Sequence, residues 1–195
     1  MREKRTNFTD YMAALTGSFT DDFVFIDESG ININMERRYG RAPGSERVVD
    51  YAPVNTPVNT TVIAGMTTQG PIAWDTWQGG TTKERLLDWV QNTLIPALHT
   101  GQIIIWDNLR VHHSQEILDL LRKARIPVLF IPPYSPDFNP IEMMWSKMKE
   151  ILRKLRIRAV DKLQEAVRHI LAHQIAPDNC RGWFRRDGYK AQVHP

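Results

Sequence analysis

Cysteine is nearly missing from this chain. Its 195 residues hold one, Cys180. One thiol makes neither an internal disulfide nor a multi-cysteine zinc site, so a staple-rich secreted fold and a zinc finger are both excluded. Long apolar runs are missing too, and no stretch approaches the roughly 20 apolar residues of a membrane span. The polar opening Met1-Arg-Glu-Lys-Arg-Thr-Asn7 is not followed by the run of about 7–15 apolar residues that a signal peptide needs. There is no repeat and no low-complexity linker. What remains is the balance of an ordinary globular domain, 42% hydrophobic and 24% charged, at a length that buries roughly 70% of its unfolded surface without covalent staples. The expectation is one domain in a reducing cytoplasm, with no membrane partner.

Net charge is only +3, but it is unevenly spread. Residues 147–190 hold 12 Lys or Arg against 5 Asp or Glu, a balance of +7, so the rest of the chain sums to −4. A basic end beside an acidic body suits a polyanion partner and a cation site.

Periodicity places the elements. Phe23-Val-Phe-Ile-Asp-Glu-Ser29 reads as a buried strand that turns at Gly30. Residues 32–57, with Gly40, Pro43, Gly44, Pro53 and Pro57, read as irregular, with room for a hairpin. Thr60–Thr67 and Pro71–Trp77 flank Gln69-Gly70 and form a strand pair. The period then changes. Thr81-Thr-Lys-Glu84 is a capping box, and Leu86, Leu87, Val90, Leu94 and Leu98 follow at helical spacing, predicting a helix from 82 to about 98. Ile103–Asp107 and Val128–Ile131 are further strands, separated by an amphipathic helix over 114–125. Helices over 141–155 and 161–174 close the pattern. Together these predict an α/β fold, a mixed five-stranded sheet flanked by helices.

Three acids occupy similar places in that pattern: Asp27 and Asp107 at strand ends, and Glu142 in the first turn of a helix. Carboxylates gathered at strand ends are costly without cations, and hard oxygen ligands favour Mg²⁺ or Mn²⁺. Two such ions about 3.5–4 Å apart serve phosphodiester chemistry. Other readings stand beside this one. Strand-end carboxylates satisfy turn amides, and Asn139-Pro-Ile-Glu142 fits a capping box. Alternation sends Glu28 to the face opposite Asp27.

Three segments then resemble the blocks of the DDE transposases of the mariner superfamily, and most closely the bacterial insertion sequence 630 group. They are Phe25-Ile-Asp-Glu-Ser-Gly30, Ile104-Ile-Trp-Asp-Asn-Leu-Arg-Val-His-His113 and Pro132-Pro-Tyr-Ser-Pro-Asp-Phe-Asn-Pro-Ile-Glu-Met-Met-Trp145. The 34 residues between Asp107 and Glu142 match the spacing of the Glu-ending members. The resemblance implies a ribonuclease H-like fold, Asp27, Asp107 and Glu142 as catalytic metal ligands for two Mg²⁺ or Mn²⁺ ions, and DNA cleavage followed by strand transfer. Their carboxylates are then expected to converge, with Glu142 withdrawn while the acids are unneutralised.

Around the triad, Asn108 and His113 are candidates to orient a ligand or touch a phosphate, or else to bond local backbone. Tyr134 and Ser135 either contact DNA or serve a rigid Pro-flanked turn. Trp145 is expected to pack its helix on the sheet. Lys147, Lys149, Arg153, Lys154, Arg156 and Arg158 give a basic surface for phosphates. DNA, meaning transposon ends and target, is the expected partner, with a homo-oligomer assembled on it and the protein associated with the nucleoid.

Family members carry an N-terminal helix-turn-helix region, and about 22 residues ahead of the first strand are too few for one. The expected layout is an N-terminal extension over 1–22 with at most one short helix, a catalytic domain over 23–175, and a basic C-terminal tail over 176–195. A separate helix-turn-helix subunit would then supply end recognition. Two other functions share these features: a hydrolytic nuclease of the same fold, and a DNA-binding or regulatory relic without activity.

Overall fold

A run as uniformly apolar as Phe23–Ile26 must be covered on both faces when it forms a strand. Both faces are covered in the computed structural model, which describes residues 2–16, 20–37, 39–44, 46–49, 51, 53 and 57–189. The chain runs α1 (Arg2–Thr16), β1 (Phe23–Ile31), β2 (Thr60–Thr67), β3 (Gly70–Gln78), α2 (Lys83–Trp89), a π-helical turn (Val90–Leu94) and α3 (Ile95–Ala97). It continues through β4 (Ile103–Trp106), α4 (Gln115–Lys123), β5 (Val128–Phe130), α5 (Ile141–Leu155), α6 (Val160–His173) and α7 (Pro177–Arg186). The five strands form one mixed sheet in the order β3-β2-β1-β4-β5. β2 pairs antiparallel with β1 and with β3, and β1, β4 and β5 run parallel.

Alternation along β1 sorts its side chains between two cores. Phe23 and Phe25 join Ile105, Met144, Met148, Val167, Ile170 and Phe184 on the face covered by α5, α6 and α7. Val24 and Ile26 join Ile104, Trp106, Leu86, Trp89, Ile117 and Leu121 on the face covered by α2 and α4. At roughly 1.5–3 kcal/mol for each buried large apolar side chain, these two layers supply most of the drive to fold.

Four expectations need correction. The N-terminal extension holds α1, a helix of 15 residues, longer than the single short helix expected. Its Met12 is buried in the first core. The segment expected as a basic tail contains α7, whose Cys180 and Phe184 are fully buried because they fall four apart on one helical face. The helix predicted from 82 to 98 widens into a π turn over Val90–Leu94, just ahead of Pro96, whose ring lacks an N–H and clashes with an α-helical carbonyl four residues back. The described residues of 32–57 are irregular, as read, and form no strand and so no hairpin among themselves.

Candidate active site

The last pair of the β1–β4 ladder is Ile26 with Trp106. Asp27 and Asp107 are each the next residue, so two acids 80 positions apart stand side by side where that ladder stops. Asp107 follows the end of β4 as expected, but Asp27, expected at a strand end, lies inside β1 and pairs with Ala64 because β1 continues to Ile31 along β2. β5 ends beside them, with Ile131 N–H donating to Trp106 O at 2.8 Å. From there the chain crosses Pro132–Pro140 and enters α5, where Glu142 is the second helical residue. Asp27, Asp107, Glu142, Asn108, Tyr134 and Asn139 line one cavity of about 390 Å³ at the carboxyl ends of the parallel strands, the usual place for a site in such a sheet.

Each acid is held differently. Asp27 is only 7% exposed, and Trp145 Nε1–H donates to its Oδ2 at 3.0 Å. Burial, then the charges of Glu142 and Glu28, push the Asp27 carboxyl up to about 8, against the Trp145 hydrogen bond. Asp107 accepts from the Leu109 N–H at 3.2 Å and meets His112 Nδ1 at 2.5 Å. Glu142 is exposed. The capping-box reading fails here: the residue at the N-cap is Pro140, no side chain caps α5, and the buried Asn139 Oδ1 has no partner. With its N–H bonded to Asn139 O at 3.1 Å, the Glu142 backbone is tied while its carboxylate stays clear for other work.

The sequence pointed to His113, but His112 is the histidine that reaches the acids. It is fully buried and stacks on Trp106 with ring centroids 4.2 Å apart. Its Nε2 meets Glu28 Oε1 at 3.2 Å, so Glu28, on the face opposite Asp27, is linked to Asp107 through one imidazole. Burial alone would lower the His112 pKa. The hydrogen bonds to Asp107 and Glu28 outweigh it and carry the ring to about 9. The 3-10 turn over Arg110–His113 decides which of the two adjacent histidines turns inward, and no local sequence signal marks that choice.

The remaining candidates divide. Asn108 donates to Ile131 O at 3.4 Å and meets His113 Nε2 at 2.6 Å, while His113 stacks on Phe130. These two therefore brace the ends of β4 and β5. Tyr134 is 85% exposed on the cavity rim, with a left-handed φ of 57°. Ser135 is buried and accepts from Arg5. Trp145 packs as expected, and its link to Asp27 is a function that helical periodicity did not suggest. Lys149 and Arg153 are half-buried on α5. The basic surface is more committed than its count implied. Lys147 Nζ is 2.6 Å from Asn179 Oδ1, Lys154 pairs with Glu150, and Arg156 and Arg158 both pair with Glu36.

Asp27, Asp107 and Glu142 are hard oxygen donors on one cavity, which fits Mg²⁺ or Mn²⁺ by donor chemistry. Among the described residues, however, no three His, Cys, Asp or Glu side chains come close enough together to hold one ion. His112 holds Asp107 and Glu142 stands exposed, so the three acids share one cavity without closing on a common point.

Comparison with known proteins shows the fold and the family. The family described as DDE superfamily endonuclease matches residues 22–164. Over 73 residues the chain is 33% identical to the Transposable element Tcb1 transposase of Caenorhabditis briggsae, covering 35% of this chain and 27% of that protein. It is 30% identical over 86 residues to the Tcb2 transposase of the same organism, covering 40% and 32%. The Mos1 mariner paired end complex with Mn matches with a TM-score of 0.76 at 18% identity, over 96% of this chain and 58% of that one. The Mos1 transposase catalytic domain with Mg matches with a TM-score of 0.71 at 18% identity, over 99% and 96%. The fold is thus ribonuclease H-like, and the matches span less than a third of each curated relative.

Proposed function

The chain belongs to the DDE superfamily endonucleases, and from that membership we propose that it cuts and joins DNA strands as a transposase catalytic domain, with Asp27, Asp107 and Glu142 as its metal-binding catalytic residues. One observation carries this reading: the middle of β1, the end of β4 and the first turn of α5 bring their acids to a single cavity. Within the superfamily we place the chain nearest the bacterial insertion sequence 630 group, on the spacing of 34 residues between Asp107 and Glu142.

Two Mg²⁺ or Mn²⁺ ions held by the three acids would activate a water or 3′-hydroxyl and stabilise the leaving oxygen. The chain's own residues prepare that site. Trp145 fixes the rotamer of Asp27 from the core side while excluding water behind it. His112, clamped by its stack on Trp106, presents Asp107 to the cavity and draws charge from Glu28 across the sheet. Exposed Glu142 is the acid able to swing, so the site closes as charge is neutralised. Tyr134, at the rim, offers a ring to an unstacked base. Lys147, Lys149, Arg153 and Lys154 along α5 lie where phosphates would run.

The substrates on this reading are transposon ends and target DNA, bound by a homo-oligomer, with a helix-turn-helix element supplying end selectivity. The test is cleavage and joining of a labelled duplex. Mg²⁺ or Mn²⁺ should support both while Ca²⁺ binds with little turnover. Full activity in excess EDTA, or cleavage without any joined product, would refute the transposase reading.

A further inference from the structure

The N-terminal helix reaches the active-site loop through Arg5 and Phe8. On α1, Arg5, Phe8 and Met12 fall on one face. Met12 enters the core, and the other two meet the loop before α5. Arg5 forks onto both carboxylate oxygens of Asp137, at 3.1 and 2.6 Å, and also donates to Ser135 Oγ at 2.7 Å. Its guanidinium carbon lies 4.6 Å from the centre of the Phe138 ring, and Phe8 covers that ring at 5.3 Å. From the other side, Tyr189 OH donates to Phe138 O at 2.7 Å. The loop so gripped is short and carries backbone strain at Tyr134. Ser135 and Asn139 line the cavity, and Glu142 stands in the first turn of the next helix.

We propose that Arg5 is a positioning residue, and that α1 is a clasp which fixes the Tyr134–Asn139 loop and thereby sets where Glu142 stands relative to Asp27 and Asp107. The fastenings fall on three loop residues, Ser135, Asp137 and Phe138, so the loop cannot rotate about any one of them. A bidentate guanidinium that also donates to a third oxygen is a geometry lysine cannot reproduce. Helix α1 is therefore part of the catalytic apparatus, joined to Glu142 through the four residues that follow Asp137. This rests on the reading of Glu142 as a metal ligand.

The test uses the whole chain and two readouts. Hydrogen exchange without metal reports on the loop itself. In Arg5→Ala the amides of Ser135, Asp137, Phe138, Asn139, Ile141 and Glu142 should exchange about tenfold faster, as expected for loss of a charged hydrogen-bond cluster. Binding of Mn²⁺ alone, followed by electron paramagnetic resonance, should weaken about tenfold, the range for a lost outer-shell partner. Arg5→Lys should fall between Arg5→Ala and the wild type. Arg5→Ala should add little to Glu142→Gln, because both act on one ligand. Leu121→Ala, in the core on the far face of the sheet, should lower the melting temperature while leaving both readouts at wild-type values. Unchanged exchange in Arg5→Ala, or faster exchange with unchanged Mn²⁺ affinity, overturns the proposal, as does an equal effect from Leu121→Ala. If the wild type binds no Mn²⁺, or Asp107→Asn binds it as well as the wild type, the metal reading is at fault. The exchange readout still decides whether Arg5 fixes the loop.

Discussion

Asp27 and His112 both hold protons in the folded chain that the unfolded chain gives up. The Asp27 carboxyl titrates near 8 against 3.8, and the His112 ring near 9 against 6.5. For each group the folded state binds more protons between its two values, so the metal-free protein loses stability as pH rises through that window. The windows overlap from 6.5 to about 8. Thermal melting without metal should therefore fall steadily from pH 6.5 to 9, and Asp27→Asn should flatten the acid side of that slope. A melting temperature that rises over this range contradicts the assignment. Added Mn²⁺ competes with the Asp27 proton, so its stabilisation should be larger at pH 8 than at pH 6. Trp145→Phe keeps the packing and removes the donor to Asp27. Loss of a hydrogen bond to a charged group should raise the pH midpoint of Mn²⁺ binding by roughly one unit. Asp27→Asn, Asp107→Asn and Glu142→Gln should each abolish cleavage with the fold intact, and their effects should not add.

Among the elements, β1, β4, β5 and α5 were legible because a strand buried on both faces, or a helix with one apolar stripe, leaves a period in the sequence. Helix α7 was not. Its run Pro177-Asp-Asn-Cys-Arg-Gly-Trp-Phe-Arg-Arg186 is mostly polar, and its core contacts rest on Cys180 and Phe184. Helix α1 was underestimated for the same reason, since an arginine on its inward face breaks the apolar stripe. If α7 is structural, Phe184→Ala should cost about 3–5 kcal/mol, measured by urea unfolding. A dispensable tail would lose almost nothing. The helix ending before Leu98 was readable as a helix, but its π turn depends on how Pro96 is accommodated, which periodicity does not encode.

For the molecule as a whole, charge counting overstated the free basic surface. Lys154 is offset by Glu150, and Arg156 and Arg158 by Glu36. Duplex binding should still fall as salt rises, with a slope near 0.9 per phosphate neutralised, but well short of what 12 cations over residues 147–190 would give. Replacing Lys147, Lys149, Arg153 and Lys154 together with Ala should weaken binding to all sequences alike. A variant that loses affinity for one sequence only would mean these residues read bases. Two acids of the candidate site, Asp27 and Asp107, were legible because each follows an apolar run, and Glu142 because it opens a strongly periodic helix. The parts that hold them were not: the imidazole bridge from Glu28 to Asp107 spans the sheet, and the Arg5 fork joins residues 132 positions apart. Contacts of that kind come from tertiary packing and leave no local pattern.

The central claim is that Asp27, Asp107 and Glu142 together hold divalent cations. Crystals of the chain soaked in Mn²⁺ and measured at the manganese edge test it most directly. The account predicts anomalous density in the cavity against the Asp27 and Asp107 carboxylates with Glu142 drawn toward it, and its loss in Asp107→Asn. Anomalous density elsewhere only, or none in the cavity at saturating Mn²⁺, would contradict it.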